Sequence, residues 1–181
     1  MNVRIISGNF GGRIIEGSGT TRTHPMSERI RNALFNKIAS EIPRADVLDA
    51  FAGSGALGFE ALSRGAHHVT FVEKDRIAQK IIDNNTAVLN VSGTTTHIKA
   101  NVSSWLNKTD EHYDLIFADP PFHDPQLSTV SDLFALLKPN GLMVLSYSGK
   151  GERPTETGVV VVDNRSYGNA ALAFYRKEED A

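Results

Sequence analysis

Residues 48–58 read LDAFAGSGALG. Val47 to Phe51 suits a buried strand, and Ala56 to Ser63 fits a helix. Between them Gly53-x-Gly55-x-x-Gly58 has the spacing of a nucleotide-binding turn. Glycine admits positive φ and close approach of a ligand, and the following helix aims N–H groups at whatever binds. An acid at the end of a second strand completes the pattern: Glu73, 24 residues after Asp49, is placed to accept hydrogen bonds from ribose hydroxyls. Two ligand classes compete for such a turn. A dinucleotide would set its pyrophosphate at the helix N-terminus, where Asp49 repels it. S-adenosylmethionine has no phosphate, and Asp49 suits its ammonium group, so the pattern favours the methyl donor.

Outward from this turn the chain alternates strand and helix. Strands are predicted at His68–Glu73, Thr94–Lys99, Tyr113–Ala118 and Leu142–Tyr147, and helices at Arg76–Leu89, Val102–Leu106 and Leu127–Leu137. Ile77, Ala78, Ile81 and Ile82 form the apolar stripe of the second helix, and Lys138-Pro139-Asn140-Gly141 reads as a turn. The rhythm predicts a mostly parallel sheet with helices on both faces. Gly158–Asp163 and Ala170–Tyr175, with a polar link between them, predict a closing hairpin. Asn101 is placed either for an adenine edge or as the N-cap of the short helix after it, and both can hold at once.

The first 44 residues form a separate piece. Val3–Ile6 and Arg13–Ile15 flank a Gly-rich turn, a looser loop runs from Gly17 to Met26, and Ser27 caps a helix from Arg29 to Ala39 with Ile30, Leu34 and Ile38 as its stripe. The piece is too small for a core of its own and should lean on the body. It carries a net charge of +4 on a chain whose total is −2, a basic front end on an acidic body. Arg4, Arg13, Arg29 and Arg31 contribute to that charge. The expected division is 1–44 as a basic extension and 45–181 as the catalytic domain.

Bulk composition narrows the field. The chain has 181 residues, 40% hydrophobic and 22% charged, as befits one globular domain with a small appendage. No apolar run reaches the roughly 18–20 residues of a membrane span, and MNVRIISGNFGG has no signal-peptide core. Cysteine is absent, which excludes disulfides and thiolate chemistry. No His/Asp/Glu spacing resembles a metal site, and cytoplasmic residence is the expectation.

The remaining motif is ADPPFHD, residues 118–124, at the end of the Tyr113–Ala118 strand. Two prolines lack the N–H groups that a ladder needs, so they stop the strand in a stiff turn. In a parallel sheet that end belongs to the ligand edge. Asp119 and the Pro120 carbonyl can together accept both N–H bonds of an exocyclic amine, with Pro121 stiffening the turn. This favours the pyramidal nitrogen that attacks a methyl group. Phe122 offers a stacking face for a flipped-out base. His123 and Asp124 read as surface. Such a clamp fits any exocyclic amine, so these residues alone do not choose the base.

With these residues in view, the chain resembles the bacterial 16S rRNA guanine-N2 methyltransferases of the RsmD family from about Arg4 to Arg176. The resemblance rests on residues 48–58 continuing into Glu60-Ala61-Leu62-Ser63-Arg64-Gly65-Ala66, on Asp119-Pro120-Pro121-Phe122, on Ser27-Glu28-Arg29-Ile30-Arg31-Asn32-Ala33-Leu34-Phe35-Asn36, and on Ser166-Tyr167-Gly168. It departs from the family at Thr23-His24-Pro25-Met26-Ser27-Glu28, where Arg-Pro-Thr-x-Asp is usual, and at Gly11-Gly12-Arg13, where a second basic residue is common.

The resemblance implies an α/β, class I (Rossmann-like) S-adenosylmethionine-dependent methyltransferase. Its seven-strand, mostly parallel sheet would end in an antiparallel hairpin and carry a small N-terminal hairpin-and-helix extension. The implied substrate is one guanine of 16S rRNA within the small subunit or a late precursor, and a monomer is expected. The basic front end would then contact RNA, with Arg4, Arg13, Arg29 and Arg31 as candidate phosphate contacts. The donor pocket would comprise Asp49, Phe51, Gly53, Ser54, Gly55, Gly58, Glu73, Lys74, Asn101, Val102 and Asp119. Two other readings fit parts of the sequence: an N6-adenine methyltransferase, which shares the Pro-Pro-aromatic strand end, and a non-catalytic RNA-binding assembly factor.

Overall fold

The computed structural model of the chain describes residues 1–18 and 26–179. The predicted Gly17–Met26 loop, including Arg22 and the departing Thr23-His24-Pro25, therefore lies mostly outside the described residues. Two short antiparallel strands, β1 (Asn2–Arg4) and β2 (Ile14–Glu16), open the chain, followed by helix α1 (Glu28–Lys37). Ser27 caps α1 by accepting from the Ile30 amide (3.2 Å). The body then runs β3 (Asp46–Ala50), α2 (Ala56–Ser63), β4 (His68–Val72), α3 (Arg76–Leu89), β5 (Thr95–Ile98), α4 (Val102–Leu106), β6 (Tyr113–Ala118), α5 (Leu127–Leu133), β7 (Leu137–Tyr147), β8 (Val159–Tyr167) and β9 (Ala170–Lys177).

Seven of these strands form one sheet in the order β5-β4-β3-β6-β7-β9-β8. Pairing is parallel from β5 to β7 and antiparallel at β9 and β8. The chain leaves β3 toward β4 and β5, then crosses to β6 on the other side. Strand order therefore reverses between β3 and β6, and their carboxyl ends flank the crevice where this architecture binds ligands.

Alternation along the central strands feeds two cores. Val47, Val69, Phe71, Leu115 and Phe117 face α1, α2 and α3, while Leu48, Ala50, Val72, Ile116 and Ala118 face α4 and α5. The N-terminal piece joins the first core through Val3, Ile5, Ile15, Leu34 and Ile38, and Phe35 of α1 packs on Phe117 of β6 at a ring separation of 5.5 Å.

Four predictions from sequence need correction. Phe51 lies beyond β3 with φ 57°, because the chain must turn out of the sheet there. Lys138-Pro139-Asn140-Gly141 does not separate helix from strand: β7 begins at Leu137, and residues 138–141 bulge from it opposite Asp114 alone. Asn140 takes φ 65° within the bulge, and Lys138 ties it to Asp46 (3.0 Å) and Asp114 (3.3 Å). The helix expected to reach Leu137 ends at Leu133 and tightens into a 3₁₀ turn over Phe134–Leu136. Finally, the polar Asn164-Arg165-Ser166 continues β8 up to a two-residue turn at Gly168-Asn169, because an exposed edge strand pairs through its backbone and leaves polar side chains in water.

Candidate active site

At the end of β3 the backbone takes three left-handed steps, at Phe51 (φ 57°), Gly53 (φ 58°) and Gly55 (φ 84°), before α2 begins. The glycines divide their work. A Cβ on Gly53 would meet nothing within 4 Å, so its backbone is open to a ligand. A Cβ on Gly55 would strike Phe59, and one on Gly58 would overlap Phe71, so these two let α2 lie close on β4. Glu73 ties the turn to the next loop: Oε1 accepts from the Gly53 amide (2.8 Å) and Oε2 from the Asp75 amide (2.8 Å). Each oxygen keeps a further lone pair for a hydroxyl donor.

The turn opens into a cavity of about 570 Å³. Phe51, Gly53, Glu73, Lys74, Asn101, Val102 and Asp119 all line it, together with Val72 and Ala100. Asp49, Ser54, Gly55 and Gly58 do not. Asp49 is 1% exposed and its Oδ2 accepts from the Gly58 amide (3.0 Å), so it braces the turn from behind instead of facing an ammonium group. Burial pushes its carboxyl well above the usual range, against the pull of that amide. Asn101 caps α4, accepting from the Ser103 amide (3.0 Å) and hydroxyl (2.9 Å), which leaves its –NH₂ uncommitted by the cap.

Residues that sequence reasoning missed also shape this cavity. Ile77, expected on the apolar stripe of α3, is 59% exposed and forms part of the wall, as do Ser18, His123, Asp124 and Gln126. Ile77 sits one position past the start of α3, where an apolar residue can face either core or crevice, and periodicity alone does not separate the two.

Asp119 follows β6 beside Ser146 of β7, in keeping with the pairing of Ala118 with Leu145. Burial raises its carboxyl to about 6, and a hydrogen bond with the Ser146 hydroxyl pulls the other way. The Pro121 carbonyl accepts from the Asp124 amide (3.0 Å), closing the loop, while no backbone hydrogen bond among the described residues engages the Pro120 carbonyl. Pro121 lines both the large cavity and a second one of about 190 Å³ on its other side. Phe122, 46% exposed, lines the second cavity alone.

Of the four arginines expected at RNA, Arg4 is exposed and pairs with Glu28, Arg13 donates to the Val88 carbonyl (3.0 Å) and lies over the Phe10 ring, and Arg29 is exposed on α1. Arg31 is corrected: it is 3% exposed, donates to the Arg4 carbonyl (2.9 Å) and faces Glu60 at 3.5 Å. It is a buried counter-charge and does not reach a phosphate. Glu60 also accepts from the Ile6 (2.8 Å) and Ser7 (3.1 Å) amides and from Arg64 Nε (3.0 Å). Beside it, Ser63 receives the Asn9 amide at its carbonyl (2.8 Å) and the Phe10 amide at its hydroxyl (2.9 Å). Asn85 of α3 exchanges two hydrogen bonds of 2.9 Å with the Glu16 backbone and donates to the Ser54 carbonyl (3.1 Å), joining the N-terminal hairpin to the glycine turn.

Sheet order, glycine turn and acidic strand end together define a class I, Rossmann-like methyltransferase. A family model described as Conserved hypothetical protein 95 matches residues 3–176, and the chain belongs to that family. It is 32% identical over 183 residues to Ribosomal RNA small subunit methyltransferase D of Escherichia coli, covering 97% of this chain and 90% of that one. The Haemophilus influenzae protein of the same name is 36% identical over 147 residues, covering 78% of this chain and 76% of that one. The solved structure of Escherichia coli yhhF matches with a TM-score of 0.86 at 31% identity, covering 98% of this chain and 99% of that chain.

Proposed function

We propose that the protein transfers a methyl group from S-adenosylmethionine to the exocyclic N2 of one guanine in 16S rRNA. The observation that carries this reading is the cavity at the strand-order reversal, lined both by the open Gly53 backbone with Glu73 after β4 and by Asp119 after β6. The residues present fit the donor. Glu73 would hold the ribose hydroxyls, Ile77 and Val102 would cover the adenine faces, and the Asn101 –NH₂ would meet an adenine acceptor. The bound donor supplies a methyl group activated on a sulfonium.

The chain's own part in the reaction is orientation and charge placement. The Asp119 carboxylate and the Pro120 carbonyl accept the two N–H bonds of the amine, which turns its lone pair toward the methyl carbon. As the N–C bond forms and the S–C bond breaks, the nitrogen would become positive, and the neighbouring Asp119 carboxylate would stabilise it until one proton passes to water. Phe122 stacks on the base. Its replacement by alanine is expected to lower kcat/KM by an amount worth about 1–3 kcal/mol, as for loss of one base–aromatic stack, and steady-state kinetics on the RNA substrate measure it.

On this reading residues 1–44 form the RNA-contacting extension, through Arg4, Arg13 and Arg29, and residues 45–181 the catalytic domain. The relatives' names support rRNA as substrate. A small-subunit particle or late precursor as the working partner, a monomeric state and cytoplasmic residence complete the proposal. No helix among the described residues is long and apolar enough to cross a membrane.

The test offers labelled donor with naked 16S rRNA, small subunits lacking the modification, and DNA, followed by nucleoside analysis. N2-methylguanosine in rRNA is the expected product. N6-methyladenine as the sole product would replace this reading with the adenine one, and absence of both transfer and donor binding would favour an assembly factor.

A further inference from the structure

The 190 Å³ cavity beyond Pro121 is walled by Pro120, Phe122, Leu145 and Tyr147 and by the loop that follows β7. That loop brings two opposite charges to the same cavity, Lys150 and Glu152. Gly149 and Gly151, both at φ 83°, turn the chain on either side of Lys150, and the Ser148 hydroxyl accepts from the Lys150 amide (3.3 Å). Both side chains are exposed. Among the described residues neither forms an ion pair, although only Gly151 separates them. A cation and an anion therefore stand uncommitted beside an otherwise largely apolar slot, next to the loop that carries Asp119.

We propose that Lys150 and Glu152 determine base specificity by reading the Watson–Crick edge of guanine in this cavity. The assignment rests on the methyl-transfer reading above and supplies the choice of base that an amine clamp leaves open. Along guanine that edge runs N2 amine, N1–H, O6: donor, donor, acceptor. With N2 held at Asp119, the next group is the N1–H, which a carboxylate accepts, and then O6, to which an ammonium donates. Adenine held by its N6 amine presents the N1 lone pair next, and cytosine held by its N4 amine presents the N3 lone pair. Either would face Glu152 with an acceptor against an acceptor and leave it unpaired, and such mismatches carry most of the discrimination at polar sites. Reading a flipped base through this edge is the means by which enzymes that act on single bases select them.

The experiment measures kcat/KM on unmodified small subunits, together with donor affinity by calorimetry, for the wild type and for Lys150→Ala, Lys150→Arg, Glu152→Ala and Glu152→Gln. Each alanine variant is expected to lose about ten- to a hundredfold in kcat/KM with donor affinity unchanged. Lys150→Arg keeps a donor for O6 and recovers most of the activity, and Glu152→Gln keeps an acceptor oxygen and recovers part. Thermal unfolding of the variants guards against loss of fold, which two exposed loop positions should not cause. Wild-type kinetics in both alanine variants would overturn the assignment while leaving the methyl-transfer reading intact. A wild-type protein that methylates no guanine would overturn both.

Discussion

Replacement of Asp119 by alanine is expected to abolish methyl transfer and to leave donor binding intact. On the proposed mechanism the carboxylate is one of two acceptors for the attacking amine and the negative charge that faces the nitrogen as it turns cationic. Removing a single preorganised hydrogen-bonding group of this kind costs on the order of 10²–10³ in kcat, and here a charge is lost with it. Asp119→Asn keeps one acceptor oxygen and falls between. The pH dependence follows with a definite sign. With its carboxyl raised to about 6 by burial, Asp119 is protonated below that pH, and a protonated carboxyl donates where the amine needs an acceptor. Activity is therefore expected to fall as pH drops through about 6 and to plateau above it. Single-turnover rates across pH 5–8, with donor titrations by calorimetry, separate the two effects. Loss of donor binding in a folded Asp119→Ala protein would instead make Asp119 a donor ligand.

The second large effect is on stability. Glu60→Ala is expected to lower the unfolding free energy by about 3–5 kcal/mol, the usual cost of removing one partner from a buried ion pair. Glu60 is fully buried and receives the Ile6 and Ser7 amides and two arginines. Its loss strands Arg31, whose guanidinium burial already disfavours the charged form. Against a typical total of about 5–15 kcal/mol, that is about a fifth or more. Urea unfolding reads it as a lower midpoint with an unchanged slope, and Glu60→Gln, which keeps an acceptor without the charge, should lose less. A change below about 1 kcal/mol would show that the N-terminal hairpin is held without this ion pair, by its apolar contacts and the Asn85 and Ser63 hydrogen bonds.

The elements that sequence reveals best are those with local start and stop signals. α2, α3, α4 and β6 fall on the residues expected, since Asp75 and Asn101 cap their helices by hydrogen bonds within three residues and the prolines after Asp119 end their strand. The Lys138–Gly141 bulge was opaque for the opposite reason. Pro-Asn-Gly is a turn signal wherever it occurs, and only pairing across to β6, with Lys138 reaching Asp46, keeps those residues in a strand. The site divides in the same way. Glu73, Gly53 and Asp119 are legible because a strand end in a parallel sheet has one meaning. Arg31 and Asp49 are not, because their partners Glu60 and Gly58 are chosen by packing, and a charge on a helix or strand looks alike whether it faces water or a buried acid. Ser18 reaches the cavity from outside the methyltransferase pattern altogether, so no motif points to it.

The grip of α2 on residues 6–10 has a consequence for how this protein can diversify. Glu60 and Ser63 hold main-chain amides of Ile6, Ser7, Asn9 and Phe10 and are indifferent to the side chains those residues carry. Gly8 alone is locked by space, since any Cβ there would overlap the Ser63 carbonyl. The scaffold thus fixes where the loop lies while leaving most of its lettering unconstrained. Charge can be added or withdrawn at the exposed Ser7 and Asn9, and with it the pull on a polyanion, at little expense to folding or to the distance between that loop and the reacting atoms.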